Sequence, residues 1–278
     1  MSGSAPNGTG PPVPVVAPDP SAASFWVWRG DASGGDEKAY LVPVGEGQVV
    51  LDAMHWIQQH TDSDLAVRWN CKAAKCGSCS AEINGRPALM CKTRVDALGD
   101  GPITVRPMKT FPVIKDLVTD VGWNYRVNKR IQPFTHAATE PVPFVMQQED
   151  VERTIEFRKC IECFLCQDVC HVLREHDEGK DEYFGPRFMI RMASLEMHPK
   201  DVGDRVPQAH TESGIGYCNI TKCCTEVCPE DIHITDNGII PLKERVADRY
   251  FDPIRTVLRK LSPKKERKPA AESLPAGK

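Results

Sequence analysis

Several features are scarce or missing in this 278-residue chain, and each gap excludes something. No stretch approaches the 18 or more uncharged apolar residues that a membrane-spanning helix requires. The first 24 residues contain no Lys or Arg and no sustained apolar core, so they do not read as a secretory signal. No Walker loop, G-x-S-x-G elbow or dinucleotide fingerprint occurs, which removes the usual sequence routes to nucleotide chemistry and acyl transfer. A net charge of −3 gives no electrostatic reason to expect a nucleic-acid partner. The opening MSGSAPNGTGPPVPVVAPDPSAAS is rich in Pro, Gly, Ser and Ala and predicts a disordered tail over 1–24. The expectation is a cytoplasmic protein, in which thiols stay reduced, so twelve cysteines point to metal ligation and not to disulfides.

Those cysteines fall into three groups. The first is CKAAKCGSC, holding Cys71, Cys76 and Cys79, with Cys91 following after eleven residues. This is the C-x4-C-x2-C spacing of plant-type ferredoxins, which wraps a [2Fe–2S] cluster. Gly77 allows the backbone to approach sulfurs whose charge needs N–H donors. Zinc is the competing ligand, but zinc sites usually pair two short C-x2-4-C knuckles. The flanking pattern agrees with a ferredoxin domain over 25–110. Strands are read at FWVWR and YLVPV, and a helix at VVLDAMHWIQQH with Val50, Met54 and Ile57 on one face. A hairpin follows around Asn84-Gly85, then a strand at ITVRP. Hairpin, helix, cluster loop, hairpin and strand is the order of a β-grasp fold.

The second group, CIECFLCQDVC, gives Cys160, Cys163, Cys166 and Cys170 at C-x2-C-x2-C-x3-C. In that motif the first three cysteines hold one cubane and the fourth belongs to the other cluster. The third group supplies the complement. Cys228, followed by Pro229, completes a [4Fe–4S] set with Cys160, Cys163 and Cys166, while Cys170 joins Cys218 and Cys224. Thr221 stands where that last set expects its fourth cysteine. A hydroxyl is a poor iron ligand, so a [3Fe–4S] cluster is expected there. Cys223 is left over, either as a small buried hydrophobe or as a substitute fourth ligand.

A plant-type domain followed by a two-cluster domain resembles the iron–sulfur subunit of succinate dehydrogenase and fumarate reductase. The likeness runs from about Trp26 to Ile254 and includes RWNCKAAKCGSC, PVIKDLVTDVGWNY and FGPRFMIRMASLE. The resemblance implies an α+β architecture: an N-terminal β-grasp plant-type ferredoxin domain, then a mainly helical two-cluster, bacterial ferredoxin-like domain. It also implies a flavoprotein partner carrying FAD, membrane anchor subunits, a quinone acceptor, and a peripheral position on the cytoplasmic face of the membrane. This chain would then pass single electrons through the three clusters and carry no substrate chemistry alone. Donors around the first cluster would have to raise a potential that is roughly −400 mV in plant-type ferredoxins. Two other readings compete: a multi-cluster carrier serving another dehydrogenase or a disulfide-reducing complex, and a zinc-stabilised interaction module.

The remaining segments are read as connections and contacts. In FPVIKDLVTDVG, within a linker over 111–150, Ile114, Leu117, Val118 and Val121 recur at helical spacing behind Pro112, predicting a docking helix. Residues 132–151 are proline-punctuated and expected to be extended. Pro186 opens a helix whose Phe188, Met189, Met192 and Leu195 face the core of a domain over 151–255. Over 256–278, the apolar Val257, Leu258 and Leu261, which continue the face begun at Ile254, and the basic SPKKERK suggest a membrane- or anchor-facing helix end or a plain surface cap. Many relatives have a proline after the cysteine matching Cys170, tryptophans soon after, and a histidine after the one matching Cys218. Here His171 and Asn219 stand in those places, so the quinone contact is assigned only to the vicinity of His171, Asn219 and Thr221. Histidine exchanges protons near neutral pH and suits proton delivery to a reduced quinone, although a histidine beside a ligand is more commonly structural.

Overall fold

Alternating burial along the first segment sets the fold. Phe25 and Val27 are fully buried while Trp26 between them is exposed, which places one face of β1 (Ala22–Asp31) on a core. A computed structural model of the chain describes residues 22–139, 143, 145–176, 178–255 and 257. β1 turns back into β2 (Gly34–Pro43), pairing Ala22 with Pro43 through Asp31 with Gly34. The ladder therefore starts three residues inside the segment expected to be a disordered tail: Ala22–Ser24 are strand because Leu41–Pro43 pair with them. The rest of that tail lies outside the described residues. Helix α1 (Val50–His60) follows and lays Val50, Leu51, Ala53, Met54 and Ile57 against the sheet. Strands β3 (Ser80–Ile83) and β4 (Arg86–Leu89) form the expected hairpin, with Asn84 and Gly85 both at positive φ, 49° and 75°. β5 (Ile103–Arg106) runs parallel to β1 and antiparallel to β3.

The docking helix expected from FPVIKDLVTDVG is not formed. That stretch is a small hairpin, β6 (Val113–Lys115) and β7 (Val118–Thr119), and it extends the sheet in the order β4-β3-β5-β1-β6-β7, with β2 on β1. Ile114, on the supposed apolar face, is 54 % exposed. The reason is Asp116. It is 1 % exposed and left-handed, with φ 47°, and its carboxylate collects three donors from two distant stretches of chain. Arg29 Nε and Gly30 N reach Oδ1 at 3.0 Å, and Ala66 N reaches Oδ2 at 2.8 Å. A helix would withdraw that carboxylate from a half-buried charge and two amides, and the periodicity yields to it. Helical structure starts later, at α2 (Gly122–Arg130).

The second half is mainly helical: α3 (Gln148–Ile155), α4 (Leu165–Asp168), α5 (His171–Glu175), α6 (Gly179–Glu182), α7 (Pro186–Glu196), α8 (Val206–Thr211), α9 (Cys223–Glu226) and α10 (Ile240–Tyr250). α7 opens on Pro186 and buries Phe188, Met189, Met192 and Leu195 as its spacing predicts. α3 starts inside the stretch expected to be extended, favoured by Glu149 and Asp150 in its first turn. Before it, the chain is fastened by a buried guanidinium: Arg205 donates to the carbonyls of Gln132 and Pro133 at 2.8 and 2.6 Å and pairs with Asp201 at 2.9 Å. Of the expected basic C-terminal helix, Ile254 and Val257 are exposed, and Leu258, Leu261 and the basic tail lie outside the described residues. Among the described residues, no helix is long and apolar enough to cross a membrane.

Two cores result, and they meet at cysteines. Cys163 and Leu165 belong to the core of the sheet half, against which Ala74, Cys91 and Val227 also pack, although both stand in the helical half of the sequence. Replacing Asp116 with Ala leaves Arg29 and two amides short of their acceptor. We expect Asp116→Ala to lower unfolding stability by about 3 kcal/mol, read as a lowered denaturant midpoint; an unchanged midpoint contradicts the anchoring role.

Candidate metal centres

The first cysteine loop is shaped by left-handed residues. Lys72, Ala74 and Gly77 have φ of 53°, 55° and 68°, which curls the backbone so that amides point inward at sulfur. Ala73 N and Lys75 N each lie 3.3 Å from Cys71 Sγ, and Cys91 N lies 3.5 Å from Cys79 Sγ. Burial pushes the Cys79 thiol up to about 12. At Cys76 burial acts in the same direction, but hydrogen bonds from the Ser78 side chain and from the Cys71 and Ser78 backbone hold the thiol down to about 6. The loop therefore combines a thiol held low at Cys76 with a buried one at Cys79 that favours its protonated form until a cation is present.

The second and third groups have the same local fold. At one constant offset, Cys160, Cys163, Cys166 and Cys170 correspond to Cys218, Thr221, Cys224 and Cys228. The backbone repeats with them: Glu162 and Phe164 have φ of 54° and 61°, and Ile220 and Lys222 have 60° and 63°. A short helix follows each, α4 after Phe164 and α9 after Lys222. By this register Thr221 takes the place of Cys163, and the surplus Cys223 takes the place of Leu165.

The second and third cysteine groups have neighbours in common. Cys160, Cys163, Cys166 and Cys228 line one small cavity of about 20 Å³ together with Ile190 and Ile232. Burial pushes Cys163 up to about 12 and Cys166 well above the usual thiol range, and neighbouring cysteines of the same set push in the same direction. Cys170 is raised to about 12, by burial first, with Cys223 and Cys224 among its neighbours. Burial likewise raises the buried Tyr183 hydroxyl, which lies near Cys218, Cys170 and Cys224. Sequence spacing gave no sign of Tyr183. Cys223, half-buried, contacts Thr221 Oγ1 at 3.3 Å and donates to Val169 O at 3.6 Å. His171 and Asn219 are brought together, with Nε2 and Nδ2 3.0 Å apart at the surface.

The loops themselves are in contact. A Cβ on Gly77 would stand 2.6 Å from Cys163 Cα and 2.8 Å from its Cβ, so the glycine serves an approach to the second group and not only to its own sulfurs. Ser80 Oγ donates to Cys163 O and Gly77 O, both at 2.9 Å. Lys92 Nζ donates to Pro229 O at 2.8 Å, and Lys75 pairs with Glu230 at 3.0 Å. A buried ion network lies alongside. Arg174 bonds Glu82 of β3 and pairs with Asp168, whose carboxyl burial raises to about 7, against an opposing hydrogen bond from the Thr110 amide.

These donor sets fit polynuclear iron–sulfur centres. Thiolates directed into amide-lined loops and apolar pockets match sulfur-rich clusters, in which each iron has its own protein ligand. Among the described residues no three His, Cys, Asp or Glu side chains converge as a single-ion site.

Comparison with known proteins agrees. Residues 24–124 match a 2Fe-2S iron-sulfur cluster binding domain, and residues 156–232 match a 4Fe-4S dicluster domain. Together they define a three-group iron–sulfur protein. A chain of the Mycobacterium smegmatis Sdh1 complex in the apo form is 60 % identical, covers 84 % of this chain and 98 % of its own length, and superposes with a TM-score of 0.82. The fumarate reductase iron-sulfur subunit of Mycobacterium tuberculosis is 29 % identical over 70 % of this chain and 80 % of its own. A subunit of the CoM/CoB fumarate reductase of Methanothermobacter marburgensis is 31 % identical over 80 % of this chain. An uncharacterised iron–sulfur protein of Methanocaldococcus jannaschii is 34 % identical over 74 %. The chain spans only 44 % and 41 % of the length of these two archaeal relatives. The chain belongs to the family of succinate dehydrogenase and fumarate reductase iron–sulfur subunits.

Gly77→Ala puts a methyl group into the Cys163 backbone at a left-handed residue. The expected cost is about 3 kcal/mol, with the two halves forced apart. Thermal unfolding and the magnetic interaction between centres in EPR check it; a variant with both unchanged refutes the contact as a structural requirement.

Proposed function

We propose that this chain is the electron relay of a succinate:quinone oxidoreductase. It takes single electrons from an FAD-bearing flavoprotein and delivers them to a quinone at membrane anchor subunits, on the cytoplasmic face of the membrane. The single observation that carries this reading is the continuity of the three cysteine sets, from the Gly77 loop resting on Cys163 to Cys166 and Cys224 near one another in the buried core. Clusters held in these sets supply one-electron redox chemistry. The residues do the rest.

Cys71, Cys76, Cys79 and Cys91 hold a [2Fe–2S] centre in the loop with the most exposed thiol, where electrons enter. Cys160, Cys163, Cys166 and Cys228 hold a [4Fe–4S] centre at the junction of the two cores. Cys170, Cys218 and Cys224 hold a [3Fe–4S] centre, because Thr221 offers only a hydroxyl in the position equivalent to Cys163. Amide donors in the αL turns stabilise each reduced centre, and the apolar walls exclude water. His171 and Asn219 form an exposed polar pair beside the last set and would face the quinone, with Thr221 close by. The same relay serves fumarate reduction in reverse. The 60 % identity to a chain of the Sdh1 complex, against 28–31 % for relatives named fumarate reductase, favours succinate oxidation.

Anaerobic material is expected to contain about nine irons per chain with matching sulfide, and to show a [3Fe–4S] EPR signal when oxidised. Thr221→Cys is expected to replace that signal with a [4Fe–4S] one, whereas Cys223→Ser leaves it in place. Conversion of cluster type by Cys223→Ser instead assigns that cysteine as a ligand and removes the argument from Thr221.

A further inference from the structure

The two repeated cysteine turns share a backbone but differ in what meets their third cysteine. Cys166 lies in a cavity lined by Ile190, Ile232 and Ile234 and by the charged Arg187 and Glu230, with no hydroxyl side chain among the lining residues. Its counterpart Cys224 meets a hydroxyl. Thr235, 1 % exposed, places Oγ1 3.5 Å from Cys224 Sγ. Thr225 lies beside it: Thr235 N donates to Thr225 Oγ1 at 3.1 Å, and Thr225 Oγ1 donates to Thr235 Oγ1 at 3.2 Å.

Counting hydrogens fixes the direction of the chain. The one hydrogen of Thr225 is committed to Thr235, so Thr235 keeps its own hydroxyl hydrogen for Cys224. A cysteine that ligates iron is a thiolate and has none to give. The backbone amide, the Thr225 hydroxyl and the Thr235 hydroxyl thus point one after another at sulfur, and each bond polarises the next.

The donor is also held in place. Thr235 sits in a π-helical segment, Ile234–Ile239, a rare wide turn that is common at functional sites. Glu156 fastens both sides of that segment, accepting from His233 N at 2.8 Å and from Asn237 Nδ2 at 2.6 Å. Gly238 lets the turn lie against α7, where a Cβ would come within 2.9 Å of Ile190.

We infer that Thr235, oriented by Thr225, donates a hydrogen bond to the Cys224 thiolate and raises the reduction potential of the centre that Cys224 ligates. This rests on the proposed relay, in which that centre is the last before the quinone. Reduction increases the negative charge on the sulfurs, so a fixed donor stabilises the reduced state more than the oxidised one. No hydroxyl lines the cavity of Cys166 to play this part, and two turns of one shape acquire different potentials.

EPR-monitored redox titration of the assembled complex tests the inference. Thr235→Val, which keeps the shape and removes the hydroxyl, is expected to shift the midpoint of the third centre downward and leave the other two where they are. Thr235→Ser is expected to keep the wild-type midpoint, and Thr225→Val to give a smaller downward shift. An intact third-centre signal with an unmoved midpoint in Thr235→Val overturns the inference. If Thr235→Val does not assemble, an unmoved midpoint in Thr225→Val does so. A wild-type complex with no third-centre signal removes the relay reading itself and this inference with it.

Discussion

The constraint on which the rest of this molecule depends is the bare Cα of Gly77 set against the backbone of Cys163. One loop belongs to the sheet half and the other to the helical half, and neither has another way to come so near. The left-handed φ of Gly77 and its missing side chain are both needed. Ser80 ties the same two loops through its hydroxyl, and Lys75 and Lys92 extend the contact to Glu230 and Pro229. The two halves are therefore joined through their metal-binding loops, and the geometry of one centre is fixed by the presence of the next.

That junction accounts for where the thiols lie. Cys163, Cys166, Cys170 and Cys224 are all buried, and burial raises each of them. As thiols they are inert fillers; as thiolates without a cation they would carry uncompensated charge into an apolar interior. Metal loading releases their protons and supplies the missing positive charge, so folding and loading support each other. The amide-lined turns lower the cost further without adding side-chain charge.

Much of this was legible in the chain, because ligand spacing is a local property. The three cysteine groups, the Asn84-Gly85 turn, the α1 face and the Pro186 helix start all follow from residues near one another in sequence. The failures share a cause. The segment 112–121 carries a fair helical stripe, but Asp116 is held by Arg29, Gly30 and Ala66, far upstream. Gly77 reads as a glycine for its own sulfurs, while its tightest neighbour is Cys163. Tyr183 and Thr235 reach cysteines across the fold from positions that no spacing rule marks. Where a side chain's partner was decided by tertiary folding, periodicity had no information about it.

The proposed exchange of ligands between the two repeated turns would also order events in time. As the chain leaves the ribosome, the set ending at Cys91 is whole long before synthesis finishes. The set begun at Cys160 waits for Cys228, and the one begun at Cys170 waits for Cys218 and Cys224. Iron delivery to the first can accompany translation; for the other two it follows near-completion of the polypeptide. A chain truncated before residue 218 would thus be released with one finished donor set and two open ones.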